Sequence, residues 1–78
     1  MIYDKLLPLA TQIRMYREKL NLSQEELAEK CGFDRTYISM LECAKRNISF
    51  LNLIKLSDGL EISISNLTGV YNATKTRK

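Results

Sequence analysis

Apolar residues recur at steps of three and four along the first quarter of the chain: Leu6, Leu9, Ala10, Ile13, Tyr16 and Leu20. That period marks one face of a helix. Pro8 belongs in the first turn, because deeper inside it would lose a backbone bond and clash with the turn before it. Arg14, Arg17 and Glu18 fall on other faces. Asn21, which tolerates the left-handed conformation, is a fitting end.

A short device then repeats. Leu22–Ser23 precedes Leu27, Phe33–Asp34 precedes Ile38, Ile48–Ser49 precedes Leu53, and Ile62–Ser63 precedes Leu67. Each is an apolar residue, a capping residue, and an apolar residue at the fourth helical position. This is the hydrophobic-staple arrangement, and each cap contributes about 1 kcal/mol. At Ser23 the capping box is complete, with Glu26 three residues on. The pattern predicts helices over residues 5–20, 24–31, 35–43, 50–58 and 64–68. Gly59 reads as the stop of the fourth, and Gly69 follows the fifth. With short connections and no strand signal of useful length, the expected fold is an all-α, compact five-helix domain over residues 1–69. Residues 70–78, VYNATKTRK, lack periodicity and are expected to form a flexible basic tail.

The stretch Ser23–Arg46 reads as helix, tight turn, helix. Leu27, Ala28 and Cys31 share one face of its first helix, and Gly32 comes where that helix must stop. Ile38 and Leu41 form the inward face of the second. Arg35, Thr36, Ser39 and Met40 then point outward, with Tyr37 at the edge. Short hydrogen-bonding groups and a cation on a first turn suit a helix lying in a DNA major groove.

Charge changes this picture little. The net charge of +3 arises at the C-terminus: setting aside Lys75, Arg77 and Lys78 leaves 9 of the 12 basic residues against 9 acidic ones. Placement matters more than the total. Glu25, Glu26 and Glu29 lie on the first motif helix, whereas Arg35, Lys45 and Arg46 lie on and after the second. Two cysteines without histidine cannot complete a four-ligand zinc site, and no other cofactor or small-molecule ligand is evident. Cys31 is expected as a small buried hydrophobe and Cys43 as partly exposed. No apolar run nears the roughly 20 residues that cross a bilayer, and MIYDKLLPLA makes a poor signal peptide. The expected location is the cytoplasm.

The segments Leu22-Ser23-Gln24-Glu25-Glu26-Leu27-Ala28, Gly32, Ile38, Leu41-Glu42 and Leu60-Glu61-Ile62-Ser63 resemble the phage-repressor-like, or Xre, helix-turn-helix family. Within it, Asp34-Arg35-Thr36-Tyr37-Ile38-Ser39 followed by Glu42 and Arg46-Asn47 looks like the controller proteins of restriction–modification systems. The resemblance implies a lambda-repressor-like fold and a dimeric transcriptional regulator of its own promoter. It also implies roles. Gln24 would touch a phosphate or orient a recognition side chain. Arg35, Thr36 and Tyr37 would reach bases, with Ser39 and Met40 facing the groove one turn on. Arg46 and Asn47 would meet backbone or reach toward the minor groove, and Arg17 would pair with Glu42. Relatives usually carry Gly where Ala44 stands and often Pro where Ile48 stands. Ala44 would be strained by about 1 kcal/mol in the left-handed region.

Chemistry supports these roles and leaves plainer ones open. The Arg35 fork matches guanine O6 and N7 together, or it is solvated beside Asp34 or Glu42. Tyr37 lies against the sugar–phosphate backbone, or it is a core-edge aromatic. Lys45, Arg46 and Asn47 precede the helix start at Ser49, a setting for phosphate contacts. One recognition helix reads only a few base pairs, so a homodimer on a pseudo-palindromic DNA operator is expected. Phe50, Leu51, Leu60, Ile64 and Leu67 are the candidate dimer interface, with Val70 and Tyr71 as further candidates; the alternative is that they belong to the core, and for Leu60 and Ile54 the core is the expectation. The alternatives are an antitoxin-like protein whose main partner is another protein, and a structural helical module. No plausible nucleophile–base pair points to an enzyme.

Overall fold

Four helices start the same way. The side-chain oxygens of Ser23, Asp34, Ser49 and Ser63 accept the backbone N–H three residues on, from Glu26, Tyr37, Asn52 and Asn66 respectively. At Ser23 the Glu26 carboxylate also accepts the Ser23 N–H at 2.8 Å, completing the reciprocal box. The apolar residue before each cap, Leu22, Phe33, Ile48 or Ile62, packs half-buried against the core. The staples thus set both the start of each helix and the direction from which the chain enters it.

The computed structural model describes residues 2–71. A single 3-10 turn, Asp4–Leu6, leads into α1 (Leu7–Lys19), α2 (Gln24–Cys31), α3 (Arg35–Glu42), α4 (Phe50–Gly59) and α5 (Ile64–Leu67), and a second 3-10 turn follows at Gly69–Tyr71. No strand occurs among the described residues. Pro8 lies in the first turn of α1. The all-α, five-helix architecture read from the sequence is the observed one.

The helix ends share a second device. Asn21, Gly32, Ala44 and Glu61 each adopt positive φ, between 57° and 80°. After each, an N–H folds back to a carbonyl five residues earlier: Leu22 to Arg17, Phe33 to Ala28, Lys45 to Met40 and Ile62 to Ser57. This is the closing bond of a Schellman motif, which satisfies a carbonyl the helix leaves unpaired. Gly59 is therefore not the stop that its place in the sequence suggests. It is the last helical residue of α4, and the reversal comes at Glu61. Gly59 is required by a close approach: a Cβ there would stand 2.3 Å from the Cys31 sulfur of α2.

Leu9, Ile13, Leu27, Ile38, Leu41, Leu56, Leu60 and Leu67 form the centre of the core. Two of the residues expected at a dimer interface, Leu60 and Leu67, are thus interior. The short α5 turns Leu67 inward, and Leu60 closes α4 against α2 and the core. Tyr71 is docked: its hydroxyl accepts the Leu9 N–H at 3.1 Å and donates to the Lys5 carbonyl at 2.7 Å. The rest of the expected tail, residues 72–78, lies outside the described residues.

Candidate nucleic-acid interface

Asp34 ends the turn after Gly32 and starts α3, so Arg35 and Thr36 are its first two helical residues. Both are exposed, whereas Ile38 and Leu41 on the opposite face are buried. Arg35, Thr36, Ser39 and Met40 line one shallow hollow on the outer surface, with Ser39 and Met40 half-buried at its floor. The helical period alone produces this division, since residues 35, 36, 39 and 40 fall on one side of a 3.6-residue turn.

Tyr37 sits at the border. Its ring meets Phe33 edge-on at 4.8 Å, and its hydroxyl accepts a hydrogen bond from Asn52 Nδ2 of α4 at 3.0 Å. The Arg46 guanidinium lies over the same ring, 5.2 Å from its centroid. Tyr37 is therefore a core-edge aromatic that also supports a loop cation. Its O–H remains able to donate. Thr36, Tyr37, Met40, Arg46 and Asn52 share a second open depression beside the first.

Lys45, Arg46 and Asn47 are exposed in the loop between α3 and α4. Ala44 does adopt the left-handed conformation, at φ 57°. The Asn47 side-chain oxygen accepts the Ile48 N–H at 2.9 Å, leaving its amide group outward. Ser49 caps α4 through Oγ, so only its hydroxyl proton is free for an anion.

Behind this surface stands a buried carboxylate. The Glu42 side chain is 0% exposed, and Arg17, 12% exposed, grips it with Nε at 2.6 Å and Nη2 at 3.1 Å. The same Glu42 accepts Gln24 Nε2 at 3.1 Å and draws Arg14 Nε to 3.6 Å. Arg17 also donates to the Leu22 carbonyl at 2.7 Å. The bond to Glu42 raises the Arg17 pKa above its ordinary value against the opposing effect of burial. One carboxylate thus fastens α1, the start of α2 and the end of α3. Gln24 commits one amide proton inward to Glu42. Nothing in the sequence pattern marks Arg14 or Asn52 for a part in this site. Arg14 stands one turn before Arg17, and Asn52 is the third residue of α4, but each takes its role from a residue distant in sequence.

The remaining interface candidates divide by exposure. Phe50 and Leu51 are 67% and 61% exposed at the start of α4, Ile64 is half-buried, and Leu60 and Leu67 are interior. Burial raises the Cys31 thiol pKa, and Cys43 is exposed. Among the described residues no group of three or more potential metal ligands comes together, and no helix is long and apolar enough to cross a membrane.

A family model described as helix-turn-helix matches residues 13–67. The chain belongs to the helix-turn-helix family. The match runs from the middle of α1 to the end of α5, so it includes the capped α2–α3 pair and the Glu42 cluster. This helix-turn-helix chain is 48% identical over 54 residues to control protein C.MunI from Mycoplasma, covering 69% of this chain and 73% of that protein. Its structure is similar to that of the restriction–modification controller protein C.AhdI from Aeromonas hydrophila, at TM-score 0.80 and 37% identity over 83% of this chain and 98% of that one. It is also similar to the biofilm master regulator SinR solved in complex with DNA, at TM-score 0.72 and 35% identity, covering 76% and 95% of the two chains.

Proposed function

We propose that this chain is a sequence-specific DNA-binding transcriptional regulator that binds an operator as a homodimer and controls a restriction–modification operon. One observation carries the reading: the first turn of α3 presents Arg35 and Thr36 to solvent on a helix pinned from behind by the buried Glu42. Arginine at that position offers a planar fork to guanine, and threonine offers a hydroxyl and a methyl to a neighbouring base. Lys45, Arg46 and the free amide of Asn47 supply backbone contacts that set register without reading sequence. Similarity to the control proteins supplies the operon.

A second copy extends the site to two half-sites. Phe50 and Leu51, the most exposed large apolar residues among those described, are the surface we assign to it. Function is by binding alone, in the cytoplasm, without a catalytic step or cofactor. The test is fluorescence anisotropy with duplex DNA taken from upstream of the gene, repeated across salt concentrations. Affinity is expected to fall with a log–log slope of about −0.9 per phosphate neutralised. A flat salt response overturns the reading. A stable complex with a neighbouring gene's product that covers Phe50 and Leu51 would favour the antitoxin-like alternative.

A further inference from the structure

The loop that carries Lys45, Arg46 and Asn47 begins at Ala44, a buried residue in the left-handed conformation. Rotation about that residue swings everything after it, so whatever holds Ala44 aims the loop. Its carbonyl accepts a hydrogen bond at 2.7 Å from the Tyr3 N–H, forty-one positions earlier in the chain. The Tyr3 residue is 45% exposed, and the tie itself runs through its backbone amide. The segment bearing Tyr3 is itself fixed: Leu6 N–H donates to the Tyr3 carbonyl at 2.8 Å, and the Lys5 carbonyl accepts the Tyr71 hydroxyl.

We infer that the N-terminal strap, through the Tyr3 amide, is a positioning element for the DNA-backbone contacts of the α3–α4 loop, an inference that rests on the DNA-binding reading. Tyr3 itself need reach neither base nor phosphate. It acts through Ala44 by holding Lys45 and Arg46 at the angle a phosphate requires. Misaiming a phosphate-binding group in this way weakens binding to every sequence alike, whereas removing the base-reading group of Arg35 alters preference at one position.

Tyr3 has φ −85°, close to the angle a proline ring imposes, so Tyr3→Pro removes the N–H with little change in the local chain. Tyr3→Ala keeps the N–H and removes the ring. Binding is read by anisotropy on two probes, a 30-base-pair duplex (an arbitrary length of about three turns) from upstream of the gene and another of unrelated sequence. Amide hydrogen exchange at Lys45–Ile48 is read on the DNA-free protein. For Tyr3→Pro the expected result is a loss of about fivefold on both probes, a salt slope shallower by about one, and faster loop exchange. Tyr3→Ala is expected to match the unmodified chain in all three. A Tyr3→Pro variant with unchanged slope and exchange overturns the inference, as does a Tyr3→Ala variant that behaves like it. If the unmodified chain binds neither probe, the regulator reading itself falls, and this outcome is seen before any variant is compared.

Discussion

Ala44 and Glu61 hold the same strained backbone angle for different returns. Both have φ near +60°, where a Cβ costs about 1 kcal/mol and glycine is nearly free. Glu61 is exposed, and its ion pair with Lys30 at 2.7 Å lies at the surface, where such pairs contribute little. Glu61→Gly is therefore expected to raise stability by about 0.5–1 kcal/mol, read from the urea midpoint. Ala44 is fully buried, and losing a buried methyl costs about 0.8 kcal/mol. Ala44→Gly is accordingly expected to leave stability nearly unchanged. At Glu42 the larger effect is electrostatic. Arg17→Ala leaves a fully enclosed carboxylate with only Gln24 and Arg14, and about 3 kcal/mol of stability is expected to go in the same urea measurement.

Helices depend on neighbours that local pattern does not contain, and the junction of α2 with α4 shows how. A methyl at Gly59 would collide with the Cys31 sulfur, so Gly59→Ala is expected to cost about 1–3 kcal/mol. Cys31→Ala removes the obstructing atom, and its Cβ would be an ordinary 3.7 Å away. The double variant is thus expected to be more stable than the sum of the singles, a coupling read by thermal or urea unfolding. The same junction shows where sequence pattern stops being informative. Caps at Ser23, Asp34, Ser49 and Ser63 are legible because a cap is made within four residues. Arg35 and Thr36 are legible as outward groups because Ile38 and Leu41 fix the inward face of α3. Gly59 misleads because its reason lies on another helix. Leu67 misleads because a one-turn helix has too few residues to define a face. Tyr71 follows a stretch without periodicity, and its partners lie more than sixty positions away.

At the scale of the molecule, the surface proposed for DNA and the one proposed for a second copy can be separated by substitution. Replacing Phe50 and Leu51 together with serine is expected to shift sedimentation toward monomer, because the exposed apolar surface at the start of α4 is lost. Circular dichroism is expected to remain unchanged, since neither residue belongs to the core. On DNA, Arg35→Ala is expected to relax preference at one base pair, and Arg46→Ala to weaken operator and unrelated duplex equally. The monomeric variant is expected to retain weak salt-sensitive binding and to lose discrimination, because one half-site offers too few base pairs to be distinctive.

The phenol of Tyr71 has a bearing on the order in which the molecule is made. It lies more than sixty positions after its partners, yet it secures the opening turn of α1 and, through the strap, the loop beyond α3. A nascent chain can build its capped helices as they emerge from the ribosome, but it cannot latch its own beginning until Tyr71 has been synthesised. A product ending one codon earlier would carry every residue proposed to face the operator and lack this fastening.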